Sequence, residues 1–150
     1  MSVKVKDIMV TEVLTTKEAS LLSAVLLKLA QYKKQLVVVV VDEHKKLKGL
    51  ITPRRILQTI SLSEFGRLRQ PSIDWGDALS LLSSKTAGEV MGSALSVEPD
   101  QDIEEVVSIM LDKNIYALPV VDKKDTVIGR ISIFDLIDQW VKDMEGEETT

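Results

Sequence analysis

The chain contains no cysteine, which excludes disulfides and thiolate metal sites and fits a reducing compartment. Its single histidine, His44, sits among charged residues, leaving no Ser/His/Asp set and no His/Cys metal cluster. No Gly-rich phosphate loop is present. Aromatic residues make up only 4%, too few for the stacking platforms of single-strand-binding proteins. Positive charge is also short: the net charge of −4 has the wrong sign for a general nucleic-acid binder. The longest purely apolar run, Leu36 to Val41, falls far short of the roughly 20 residues that span a bilayer. The charges of Lys4, Lys6, Asp7, Glu12, Lys17 and Glu18 interrupt any signal-peptide core. These absences predict a cytoplasmic protein without membrane insertion, general nucleic-acid binding or a bound metal, and they argue against an enzyme.

What is present is said twice. Asp7-Ile8-Met9 returns as Glu89-Val90-Met91, 82 residues later. Val38-Val39-Val40-Val41-Asp42 returns as Leu118-Pro119-Val120-Val121-Asp122, and Gly49-Leu50-Ile51-Thr52 as Gly129-Arg130-Ile131-Ser132, both after 80. Each copy is marginal for a lone core, so two copies are expected to pack about a pseudo-twofold axis and form a cleft. The reading places repeat 1 at residues 3–60, a partly helical linker at 61–85 broken at Pro71-Ser72, repeat 2 at 86–143, and a fraying acidic tail at 144–150.

Local pattern predicts an α/β fold with the order β-α-β-β-α in each copy. Thr15 and Glu18 have capping-box spacing and predict a helix start, followed by a stripe of Leu21, Leu22, Val25, Leu29 and Tyr32. Leu36–Val41 and Leu47–Ile51 read as strands, and Thr52-Pro53 as an N-cap and first helical residue. In the second copy, Ile103, Val106, Val107, Met110 and Leu111 mark one helix face. Leu118–Val121 and Thr126–Ile131 read as strands, and Ser132 as the cap of a last helix. Leu21, Val25, Val106 and Met110 are expected to offer an apolar homodimer surface.

The ordered set resembles the CBS (cystathionine-β-synthase) domain, and the whole resembles a CBS pair, or Bateman module. Gly129-Arg130-Ile131-Ser132-Ile133-Phe134-Asp135 matches that family's pattern of Gly, two residues, Ser or Thr, two residues, Asp. The resemblance implies a regulatory module that needs no cofactor and binds AMP, ADP, ATP or S-adenosylmethionine in the cleft. It further implies a homodimer and a regulated partner protein. By that likeness Asp135 holds the ribose hydroxyls, Ser132 lies near the phosphates beside Ile131, and Thr11 to Val13 with Leu36-Val37 form the base-facing wall. The alternative is a ligand-free dimerisation or protein-interaction module.

The chemistry of these residues agrees with the first reading. A helix start at Ser132 presents free N–H groups and a positive dipole end, suited to phosphate. A carboxylate accepts from both ribose hydroxyls, as in dinucleotide-binding folds. Ser-x-x-Asp is equally the signature of a capping box with no ligand. The first copy departs from the pattern: Thr52 aligns with Ser132, but Arg55 stands where Asp135 does. A guanidinium cannot accept from ribose, so Arg54 and Arg55 are expected to serve phosphate oxygens, or to be solvated surface, with Thr52 the candidate binding residue at the helix start before them.

Overall fold

The structure, a computed structural model, describes residues 3–32, 35–68 and 75–148. In chain order the elements are α1 (Val5–Ile8), β1 (Thr15–Thr16), α2 (Leu22–Gln31), β2 (Val38–Val41), β3 (Leu47–Ile51), α3 (Pro53–Leu68), α4 (Trp75–Ser84), α5 (Ala87–Val90), α6 (Ile103–Lys113), β4 (Ala117–Val121), β5 (Val127–Ser132) and α7 (Ile133–Glu148). They form two compact units, one of Met1–Val13 with Leu95–Thr150 and the other of Leu14–Ala94. The first unit is assembled from both ends of the sequence, and the second is one continuous stretch.

In the continuous unit, β1 pairs parallel with β2, and β2 antiparallel with β3 in the register Val38↔Ile51. Every residue of β2 is buried, which explains why it reads as an unbroken apolar run. Leu22, Val25, Val38, Val40, Ile51, Ile56, Leu82, Ala87 and Val90 form the core. The discontinuous unit pairs β4 with β5 in the register Ala117↔Ser132 and is filled by Val5, Val106, Met110, Leu118, Val120, Ile131 and Leu136. A parallel bridge of Val97 to Val120 stands where the other unit has β1.

Each unit is completed by the short helix that precedes the other repeat in sequence. Val10 bridges Arg130 in one unit, and Gly92 bridges Leu50 in the other. The Val5 and Lys6 amides donate to the carbonyls of Gln101 and Pro99, as those of Ala87 and Gly88 donate to Ser20 and Glu18. The repeated acid explains the first motif: Asp7 accepts the Lys4 amide (2.9 Å) and Glu89 the Thr86 amide (3.2 Å), each back-capping its helix. Ion pairs of Lys4 with Asp102 (2.8 Å) and Lys6 with Asp100 (3.0 Å) fasten the amino-terminal arm.

Two sequence expectations are corrected, and two helices run past the bounds read from sequence. Thr15 and Thr16 form a strand rather than a helix start, because their backbone pairs with Val39 and Val40; α2 begins six residues later than Thr16, at Leu22. Helix α3 runs on to Leu68, past the end read for repeat 1 and into the stretch read as a partly helical linker; the break at Pro71-Ser72 lies outside the described residues. Helix α7 runs on into the acidic tail as far as Glu148, where Met and Glu are good helix formers; one turn before the tail Gln139 bonds Asp143 (3.0 Å). Finally, Val25, Val106 and Met110 face the cores, so they offer no dimer surface. Among the described residues no helix is long and apolar enough to cross a membrane.

The two hairpins share one turn chemistry. Asp42 Oδ1 accepts the amides of His44 (2.8 Å) and Lys46 (2.9 Å), and Asp122 Oδ1 those of Lys124 (2.8 Å) and Thr126 (3.0 Å). Lys45 and Asp125 take left-handed φ values of 62° and 64°, and the strand register shifts just before each turn. The Lys46 amide above all, with the His44 amide and the Lys48 charge, holds the Asp42 carboxyl below its ordinary range against partial desolvation. A lowered folded pKa contributes stability that is present above the unfolded pKa and lost as pH falls through the folded value. Urea midpoints should therefore drop in the wild type as pH falls below about 4, and less steeply in Asp42→Asn. Parallel profiles would remove Asp42 from the acid response.

Candidate functional site

In the discontinuous unit, β5 delivers Ser132 to the start of α7. Ser132 is buried and Asp135, one turn on, is half-buried. Asp135 Oδ2 accepts from the Ser132 amide (2.7 Å) and hydroxyl (3.1 Å), a back-capping geometry at the helix start. Placing the carboxylate in the first turn also favours its charged form's interaction with the helix dipole. Oδ2 thus has two donors, and Oδ1 supplies further acceptor capacity. Ile131 is buried beneath this corner.

Thr11 and Val13 reach the same region through Arg130. The Val10 and Arg130 backbones exchange two hydrogen bonds (2.9 and 2.8 Å), and Arg130 Nε donates to the Glu12 carbonyl (2.9 Å). Thr11 is exposed and Val13 half-buried. The close passage requires Gly129, whose Cβ would lie 2.8 Å from the Val10 carbonyl oxygen.

The continuous unit repeats the corner with different chemistry. Thr52 Oγ1 accepts the Arg55 amide (3.1 Å), confirming the cap. Arg55 is half-buried, and its Nε donates to the Val90 carbonyl (2.8 Å). That bond uses one of five guanidinium donors and offsets the dipole's disfavour of a cation here, about 0.3–1 kcal/mol. Arg54 is exposed. Leu36 and Val37 lead into β2 at the same sheet end, since Val38 lies opposite Ile51.

The sequence candidates therefore form two groups: Ser132, Asp135, Ile131, Thr11 and Val13 in one unit, and Leu36, Val37, Thr52, Arg54 and Arg55 in the other. A surface groove of about 520 Å³ lined by Lys17, Glu18, Val41, Asp42, Glu43 and His44 contains none of them, because it lies at the opposite end of β2. Among the described residues no His, Cys, Asp or Glu group could hold a metal ion. Met9 and Met91 pack against Gly129 and Gly49. Sequence reasoning overlooked Arg130, which reads as the ordinary outward-facing neighbour of the buried Ile131. It also overlooked Gln35, which stands 80 residues before the apolar Ile115.

The CBS domain model matches residues 5–62 and 87–142, most of the chain. A chloroplastic CBS domain-containing protein of Arabidopsis thaliana, CBSX1, is 32% identical over 105 residues, covering 62% of this chain and 44% of that protein. The chain thus matches less than half the length of that relative. The CBS domain pair of protein MJ0100, solved with 5′-methylthioadenosine and S-adenosyl-L-methionine, superposes with a TM-score of 0.73 at 23% identity, covering 95% of this chain and 99% of that one. CBSX2 solved with AMP gives 0.72 at 22% identity, covering 93% and 97%. With two matched repeats and the fold of solved CBS pairs, this chain belongs to the CBS domain family and is a tandem CBS pair.

Proposed function

We propose that this CBS pair is a regulatory module, not a catalyst, that binds an adenosine-containing ligand and conveys its level to a partner protein. The observation that carries the reading is the Ser132–Asp135 corner: a helix start with a half-buried carboxylate whose Oδ1 can take ribose hydroxyls. The adenosyl ligands of MJ0100 and CBSX2 support the ligand class. Arg54 and Arg55 are assigned to phosphate recognition in the continuous unit, with the Arg55 Nε–Val90 bond orienting its guanidinium.

Thermal shift with AMP, ADP, ATP and S-adenosylmethionine tests the reading. A ligand at a hundredfold excess over its Kd stabilises the native state by about 2.7 kcal/mol, so at least one should raise Tm clearly. The second reading, a ligand-free interaction module, draws on Asp135 Oδ2 and Arg55 Nε already having protein partners. Four unchanged melting curves would favour it.

The module is further proposed to act as a homodimer. Phe134, Ile137, Trp140, Val141 and Met144 are all exposed and lie within one stripe of α7, an apolar face suited to a second copy. Light scattering should return twice the monomer mass for the wild type and a monomer for Trp140→Glu. A monomeric wild type at tens of micromolar would overturn the assignment.

A further inference from the structure

Between α2 and β2 the fold buries a polar side chain whose oxygen finds no partner. Gln35 sits between α2 and β2, its amide donating to the Tyr32 carbonyl (2.9 Å), and it is only 8% exposed. Its Oε1 is buried without a hydrogen-bond partner. An orphaned buried acceptor costs about 1–3 kcal/mol. The other repeat shows what the position needs for packing alone: Ile115 stands there, equally 8% exposed. The glutamine is thus a cost of the continuous unit that its twin avoids.

Its position gives the orphan a role. Gln35 directly precedes Leu36-Val37, at the sheet end where β3 hands over to Thr52 and Arg55. We infer that the Gln35 carboxamide reads the hydrogen-bonding edge of a purine base, Oε1 accepting from an exocyclic amine while Nε2 donates to the adjacent ring nitrogen. A carboxamide matches that donor–acceptor pair on adenine as it does when proteins read adenine in DNA. This rests on the adenosyl-sensing reading and assigns base recognition to a residue outside the repeated motifs.

The test pairs a protein change with a ligand change. Gln35→Met keeps volume and removes the polar group; purine riboside 5′-monophosphate is AMP without its 6-amino group. Wild type should bind AMP about tenfold more tightly than the deaminated analogue, and Gln35→Met should bind the two equally, with an apo Tm equal to or above wild type. If Gln35→Met still prefers AMP tenfold, or wild type shows no preference, Gln35 is a buried orphan and the inference fails while adenosyl sensing stands. Wild type that binds neither ligand, nor any of the four ligands named above, overturns the sensing reading and this one with it.

Discussion

Gly49→Ala should lower the unfolding free energy by about 2–3 kcal/mol, the upper part of the range for overpacking. The added Cβ would stand 2.6 Å from Met91 Sδ and 2.7 Å from the Gly92 carbonyl oxygen. A methionine can rotate away; a carbonyl that accepts the Leu50 amide (3.3 Å) cannot move without breaking the bridge that holds 87–92 on β3. Met91→Ala added to Gly49→Ala should accordingly fail to restore stability. Gly129→Ala meets the Val10 carbonyl in the same way and should behave alike. Urea unfolding measures all of these, and a loss below about 0.5 kcal/mol for Gly49→Ala would show that the arm yields easily.

Asp135→Asn should weaken adenosyl-ligand binding by about ten- to a hundredfold while leaving the apo melting temperature nearly unchanged. The asparagine carbonyl can still accept from the Ser132 amide, so most of the back-cap survives. The charge that strengthens hydrogen bonds from ribose does not, and bonds to a charged group are worth about 1.5–3 kcal/mol. Asp135→Ala removes cap and ligand contact together and should lower both stability and affinity. The decisive ligand is a 2′,3′-dideoxy nucleotide, which wild type should bind poorly and Asp135→Asn scarcely worse. Equal wild-type affinity for dideoxy and ordinary nucleotide would leave Asp135 as a helix cap alone.

The residues announced the local architecture well. Thr52-Pro53 starts a helix as its cap chemistry requires, Ser132 stands just before another with Asp135 back-capping it, and the apolar runs after Gln35 and Tyr116 are buried strands. Thr15 misled because its capping spacing is a local signal, overridden by pairing with Val39 across the chain. The apolar stripe of α6 was visible, but periodicity cannot say whether Val106 and Met110 meet their own core or a second copy. The Ser132–Asp135 corner was legible because its members are three residues apart. Arg130's grip on Glu12 was not, because nothing local joins positions so distant.

That distance has a consequence for the order in which the molecule is made. Once Ala94 has emerged, every segment of the continuous unit is present. Val10, by contrast, waits for Arg130, 120 residues downstream. At 5–20 residues per second this interval is roughly 6–24 s. Through it Val5, fully buried at the end, has no core to enter. The arm that is synthesised early is therefore among the last parts of the nascent chain to dock, because its partners lie in the repeat that is made second.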